Sequence, residues 1–161
     1  MSERKLVGTQ EMFKKALAGG YAIGAYNVNN MEILQAIAEA AEETRSPIIL
    51  QVSAGARKYA NQPYLIKLVQ AALETTTVPI ALHLDHGSFD GALKAMEAGF
   101  SSIMFDGSHY PIEENIAKTR EMVKLTSEKG ISLEAEVGSI GGEEDGVVGA
   151  GEIADPNECK Q

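Results

Sequence analysis

One feature constrains this chain more than any other: five times along its length, a short and nearly unbroken apolar run is paired with a segment of helical spacing. The apolar runs are Tyr21 to Val28, Pro47 to Ser53 (PIILQVS), Pro79 to Asp85 (PIALHLD), Ser101 to Asp106 (SSIMFD) and Ser132 to Val137 (SLEAEV). Helical spacing predicts helices over 31–45, 63–76, about 88–98 and 112–129, and another over 9–18 ahead of the first run. In that leading helix Met12, Phe13, Ala16 and Leu17 share a side; over 31–45 the stripe is Ile33, Leu34, Ile37 and Ala41. Strands that are apolar from end to end are buried on both faces, which parallel strands under a cover of helices achieve. No low-complexity linker divides the chain, so residues 1–161 read as a single α/β domain.

The strand ends from Asn27 to Glu136 recur about every 27 residues, near the ~31 per unit of a ~250-residue (β/α)₈ barrel, and an open doubly wound sheet also fits that spacing. The inward pattern favours the barrel. Side chains alternate along a strand, so residues two apart share a face. Ile80, Leu82 and Leu84 then face helices, and Ala81, His83 and Asp85 face the other way. On that same side fall Asn27, Gln51 and Ser53, Met104 and Asp106, and Glu134 and Glu136. All five strands therefore turn polar on one face toward their C-terminal ends. A barrel with its site at the C-terminal mouth accounts for this, and an open sheet helix-covered on both faces does not.

Charge then narrows the chemistry. The chain has 14 Lys and Arg against 23 Asp and Glu, a formal net charge of −9, which excludes general nucleic-acid affinity. The single cysteine, Cys159, permits no internal disulfide, and no run approaches the ~20 apolar residues of a membrane helix. A cytoplasmic protein with no membrane or nucleic-acid partner is the expectation. Four carboxylates, Asp85, Asp106, Glu134 and Glu136, converge on one face, and the third, fourth and fifth strands hold no Lys or Arg to neutralise them. Crowded carboxylates protonate, pair with cations or hold a metal. His86, beside Asp85 where the third strand leaves the mouth, suits a metal ligand, and His83 would support it from one layer deeper. Ser88 is placed to cap the following helix. Gly138 to Gly151 (GSIGGEEDGVVGAG) reads as a glycine-rich loop without structure of its own, able to carry Glu143 and Glu144 over the mouth as a lid.

The segments AYNVNNMEILQAIAEAAEE, PIILQVSAGA, PIALHLDHGS, GFSSIMFDGSHYPIEENI and SLEAEVGSIGGEEDG together resemble class II, metal-dependent fructose-bisphosphate aldolase, over essentially the whole chain and in order. The resemblance implies a TIM barrel, a homo-oligomer (dimer or tetramer), and zinc-dependent cleavage of fructose 1,6-bisphosphate to dihydroxyacetone phosphate and glyceraldehyde 3-phosphate, a reaction of glycolysis and gluconeogenesis. It implies catalytic roles for Asp85, which takes and returns the C4 hydroxyl proton, and for Glu144, which exchanges the proton at the carbon left by cleavage, with Glu143 as its neighbour. It implies metal ligation by His86, with Asp106 and Glu136 at a deeper metal position, and substrate contacts from Asn27 and Ser53; His83 and Glu134 stand behind these. Zn²⁺ is the implied cofactor, with a monovalent cation as a further candidate. No lysine stands at a strand end to form a Schiff base, which disfavours the metal-free aldolase chemistry.

Only His86 matches the three histidines that such a zinc site uses, so two further histidine ligands are expected beyond Gln161. Asp155-Pro156-Asn157-Glu158 reads as a cap, a proline at the first helical position and a capping-box glutamate, the start of a helix just before the chain ends. The expectation is thus the N-terminal helix and about five strands of an eight-stranded barrel, inactive by itself and weak for zinc. The alternatives are a tagatose-bisphosphate aldolase of the same family, or a half-barrel that only associates through its exposed edges.

Overall fold

In the computed structural model, which describes residues 5–144 and 147–161 (side chains 143–149 excepted), the repeated pattern forms one continuous wall of parallel strands. Helix α1 (Thr9–Gly19) leads into β1 (Ala25–Asn27), α2 (Met31–Thr44), β2 (Ile48–Val52), α3 (Ala54–Ala60), α4 (Gln62–Thr75) and β3 (Ile80–Gly87). Then follow α5 (Phe89–Glu97), β4 (Ser102–Phe105), α6 (Ile112–Ser127), β5 (Ser132–Ala135) and a two-stranded antiparallel ribbon, β6 (Ser139–Glu144) and β7 (Val147–Glu152). The sheet order β1-β2-β3-β4-β5 is the sequence order, all parallel. A doubly wound sheet reverses its order at a switch point; a barrel wall does not. The order therefore decides for the barrel.

The two faces of the wall differ as alternation requires. Outward residues Leu50, Val52, Ile80, Leu82, Leu84, Ile103 and Phe105 are packed in one cluster with Leu34, Leu65, Val69, Ala92, Ala95 and Met122 from the helices. Inward, a small separate cluster of Met12, Ile49 and Ala81, with Ile23 against it, lies low on the strands. Met12 comes from α1, so this helix closes the N-terminal end of the wall. The chain entering α1 is pinned there: Val7 N–H donates to the Ile80 carbonyl at 3.0 Å, and Thr9 N–H donates to Ser132 Oγ at 2.9 Å. Gly8 sits so close to Ser132 that an added Cβ would lie 2.9 Å from that hydroxyl, so the approach needs glycine. The apolar floor and the polar mouth are opposite ends of the same inner face.

Caps set the helices where the sequence has the residues for them. Asn30 Oδ1 accepts from Ile33 N–H at 2.9 Å, and Ser88 Oγ accepts from Gly91 N–H at 3.1 Å, the capping role expected of Ser88. Ser53 does the same for α3, accepting from Ala56 N–H at 3.2 Å. That helix was not expected: its seven residues, AGARKYA, lack the apolar stripe that marks a longer helix. Three further expectations change. Phe13 and Leu17 are 49% and 87% exposed, so the packed stripe of α1 is the narrower one of Met12 and Ala16. The glycine-rich segment after β5 is the β6–β7 ribbon rather than a structureless loop, because its alternating positions pair across two strands from Ser139↔Glu152 to Glu144↔Val147. Residues 156–160 form a turn, held by Asn157 N–H on Asp155 Oδ1 at 2.8 Å and Cys159 N–H on the Asp155 carbonyl at 3.0 Å, and no helix is formed there. Among the described residues no helix is long and apolar enough to cross a membrane.

The core assignment is testable by contrast. Leu50→Ala, at a fully buried position, is expected to lower unfolding free energy by about 2–5 kcal/mol. Leu17→Ala, on the exposed side of α1, is expected to stay within about 0.5 kcal/mol. Urea denaturation of the two variants beside the parent chain measures both.

Candidate active site and metal centre

Strict alternation cannot put both Asp85 and His86 into the mouth, since consecutive residues of a regular strand face opposite ways. β3 solves this with a bulge. Its register on β4 runs His83↔Ser102 and Leu84↔Ile103, then jumps to Gly87↔Phe105, so Asp85 and His86 together stand opposite one residue, Met104. His86 takes the left-handed backbone conformation, φ 43°, which an unbranched L-residue adopts at some cost. Gly87 completes the turn: an added Cβ would collide with the Leu84 side chain and come within 3.1 Å of the Met104 carbonyl. The sequence Asp-His-Gly is thus read by the backbone as extra residue, strained residue and close approach.

The bulge delivers the imidazole of His86 into a ring of carboxylates. Nδ1 is 3.0 Å from Asp106 Oδ2 and 3.4 Å from Glu136 Oε2; Nε2 is 3.9 Å from Asp85 Oδ1. Two of the carboxylates are oriented by donors, and the third is anchored through its backbone. Asp106 Oδ1 accepts from the Ser108 hydroxyl at 2.6 Å and the Ser108 N–H at 3.0 Å. Asp85 Oδ2 accepts from Gln51 Nε2 at 2.7 Å, across the β2–β3 pair. The backbone at Glu136 is anchored by Asn115 of α6, whose Nδ2 donates to the Glu136 carbonyl at 2.9 Å.

These contacts shift the titrations in opposite directions. Burial disfavours the charged form of His86, but the hydrogen bond to Asp106 and the charges of Asp85, Asp106 and Glu136 outweigh it and hold its pKa above the ordinary histidine value. Burial would raise Asp106, yet the donors from Ser108 and His86 prevail and keep it below the usual carboxylate range. His83 goes the other way. Its burial dominates the opposing pull of Glu134 and Asp85, and His86 adds to the depression. A site arranged in this way favours positive charge at His86.

Ligand atoms of His86, Asp106 and Glu136 all lie within 4.8 Å of one another, so one ion can touch all three. An imidazole with two carboxylates is a donor set that zinc accepts, and three protein donors leave room for substrate or water. The residues fit the metal.

The structure thus brings together His86, Asp106 and Glu136, with Asp85 against the far nitrogen of His86. His83 stands behind them, its Nδ1 2.8 Å from Ser102 Oγ, and Glu134 reaches it from β5 with Oε2 3.7 Å from Nε2. Asn27 ends β1 in register with Gln51, exposed at the mouth, and Ser53 is engaged as the α3 cap. Glu143 and Glu144 belong to β6 by backbone, but their side chains lie outside the described residues. His109, which follows β4, stacks on Tyr110 with ring centroids 3.9 Å apart and is not in the metal group. Sequence reasoning did not nominate Gln51, Ser108 or Asn115 for the site. Gln51 carried a signal, being the inward polar residue of β2; Ser108 and Asn115 carried none, since loops and helix faces hold such residues routinely.

Comparison with known proteins agrees with this architecture. The family model described as class-II fructose-bisphosphate aldolase matches residues 7–161. A fructose-bisphosphate aldolase of Streptococcus pyogenes serotype M1 is 48% identical over 160 residues, covering 96% of this chain and 54% of that protein. The Mycoplasma genitalium fructose-bisphosphate aldolase is 49% identical over 159 residues, covering 97% of this chain and 55% of its own length. Among solved structures, a putative fructose-1,6-bisphosphate aldolase from Coccidioides immitis superposes with a TM-score of 0.83 at 37% identity, covering 99% of this chain and 56% of that one. The YdjI aldolase of Escherichia coli K12 gives 0.78 at 33% identity, covering 87% of this chain and 54% of that one. The chain spans about half the length of the curated relatives it matches.

The two histidines offer a direct check. A raised pKa makes His86 stabilising below its unfolded value of about 6.5, an effect lost as pH rises through the folded value. A depressed pKa makes His83 costly as pH falls below about 6.5, because only the unfolded chain then takes up the proton. The two effects oppose each other in any bulk stability curve, so site-resolved NMR titration of the metal-free chain is the measurement. His86 is expected to titrate above about 6.5 and His83 below it, and Asp106→Asn is expected to lower the His86 value.

Proposed function

This chain belongs to the class-II fructose-bisphosphate aldolase family, and from that membership we propose that its strand ends carry the proton-transfer group and part of the metal site of a zinc-dependent aldolase acting on fructose 1,6-bisphosphate. The observation that carries the reading is the convergence of Asp85, His86, Asp106 and Glu136, from three neighbouring strands, at the mouth of the wall. Cleaving the bond between C3 and C4 of a ketose bisphosphate needs a base for the C4 hydroxyl proton and a counter-charge for the carbonyl oxygen. A bound Zn²⁺ would supply the second as a Lewis acid. His86 would be one of its ligands, with Asp106 and Glu136 at the deeper metal position beside it.

The remaining work falls to side chains. Asp85 is the base: its carboxylate faces the mouth, and the amide of Gln51 on Oδ2 leaves Oδ1 for the hydroxyl proton. Returning that proton to the incoming aldehyde oxygen gives the condensation direction. Ser108, by donating twice to Asp106, keeps that carboxylate ionised and turned toward His86. Glu144, with Glu143 beside it, is proposed to exchange the proton at the carbon left by cleavage (C3 of the ketose), and Asn27 and Ser53 to contact substrate. Fructose is preferred to tagatose because the relatives compared above that are named for a sugar are named for fructose bisphosphate. The acidic balance of the chain does not oppose a bisphosphate substrate, since metal and backbone N–H groups bind phosphate locally.

A chimera tests this. This chain, put in place of the matching portion of the Staphylococcus aureus strain Mu50 relative (48% identical over 161 residues), is expected to cleave fructose 1,6-bisphosphate when supplied with Zn²⁺. Asp85→Asn in the chimera is expected to lower kcat by roughly 10²–10⁴-fold; a folded chimera without turnover would sink the reading. For the metal site alone, Zn²⁺ is expected to raise the Tm of the present chain, by about 2.7 kcal/mol of stabilisation at a hundredfold excess over Kd. Glu136→Gln is expected to diminish that rise.

A further inference from the structure

Asn115 is a polar side chain sealed into the helix layer, 5% exposed near the start of α6. Its amide has one orientation. Nδ2 donates to the Glu136 carbonyl at 2.9 Å, and Oδ1 accepts from the Thr119 hydroxyl, one turn on, at 3.2 Å. A carbonyl only accepts, so the reverse orientation would set two acceptors against each other. The amide also meets Gly107. An added Cβ there would collide with Asn115 Oδ1 and lie 2.9 Å from Cγ. The backbone of Gly107 is outside the left-handed region, so this glycine answers to the contact rather than to a torsion.

These contacts meet where the sheet has stopped. The ladder between β4 and β5 ends at Phe105↔Ala135, and Asp106 and Glu136 each stand one residue beyond that last pair. Asp106 is tied back toward β3, its N–H donating to the Gly87 carbonyl at 3.0 Å. Glu136 is tied outward, to α6. Asn115 therefore stands between Glu136 and the residue that follows Asp106. The helix that carries it is seated in the outer cluster by Met122, which is fully buried.

We propose that Asn115 is a positioning residue for the metal centre: wedged between Gly107 and the Glu136 carbonyl, it sets the gap between the Asp106 and Glu136 carboxylates beyond the end of the strand ladder. That gap decides whether one ion can touch both, and here the helix layer fixes it, not the sheet. The inference rests on the metal reading of His86, Asp106 and Glu136, whose ligand atoms all lie within 4.8 Å of one another.

Isothermal titration of the chain with Zn²⁺ tests it. Asn115→Ala is expected to weaken Zn²⁺ binding by roughly ten- to hundredfold, as loss of a group that orients a metal ligand does. Gly107→Ala, which keeps the amide but pushes it away, is expected to weaken binding as well. The two losses are expected not to add: with the amide gone the new methyl has room, so the double variant binds like Asn115→Ala alone. Val69→Ala, a truncation at a buried position of α4, is expected to lower stability and leave Zn²⁺ affinity unchanged, which separates positioning from general loosening. Parent-like affinity in Asn115→Ala, additive losses in the double variant, or an equal loss in Val69→Ala overturns the proposal. No Zn²⁺ binding by the parent chain overturns the metal reading and this inference with it. A further measurement needs no variant: NMR of the parent chain is expected to show slow exchange of the hydrogen-bonded Asn115 side-chain proton and Overhauser contacts from that amide to the Gly107 Hα. Fast exchange with no such contact overturns the wedge even where the variants fail to fold.

Discussion

The contacts of His86 with the carboxylates of β4 and β5 depend on the single extra residue in β3. Without it, Asp85 would face the mouth and His86 would point into the helix layer occupied by Leu84 and Phe105. With it, a base and a candidate metal ligand stand side by side, and the imidazole reaches carboxylates from β4 and β5. The cost is local: a left-handed backbone at His86 and a neighbour that must be glycine. Strain of this kind persists only where the surroundings over-determine it. Here the outward residues on either side, Leu84 and Phe105, are fully buried, and Asp106 N–H closes the step by donating to the Gly87 carbonyl at 3.0 Å.

The wall therefore separates two tasks by face and by height. Stability comes from the outer cluster and from the Met12 floor that α1 seals. The mouth works against stability, since it gathers acidic groups at the edge of a low-dielectric core. Two of them are held by neutral donors, Gln51 on Asp85 and Ser108 twice on Asp106, while Asn115 fixes the backbone of Glu136. Neutral donors orient a carboxylate without neutralising it.

How much of this was legible in the sequence follows from which physical signal each residue carries. Strand identity and facing were legible because burial on both sides makes long apolar runs and alternation sorts the rest; Leu50, Leu82, Ile103 and Glu136 all fall where the pattern puts them. The bulge was not, because a period of two cannot signal its own interruption, and His86 entered through the chemistry of Asp-His-Gly instead. The same limit hid α3, too short to show a stripe, and the pairing of β6 with β7, whose glycines read as loop until strands are set side by side. Phe13 and Leu17 were misassigned for a related reason: helical spacing says which residues share a side, not how wide a side the partner covers. Against the small floor formed by Ile49 and Ala81, one row of α1 is enough.

The arrangement also explains why a strongly acidic chain can present a site for an anionic substrate. The mouth gathers its negative charge on one side, around the ring of His86, and that charge is what raises the affinity of the imidazole for a positive partner. The carboxylates around the ring favour a proton on it; a divalent ion in the same place would add two charges where the proton adds one and so offset more of the local negative charge. In the proposed site the carboxylates of Asp106 and Glu136 would help to retain such a cation. In the proposed chemistry, a bound metal at the strand ends would offset part of the acidic charge that an anionic substrate meets there.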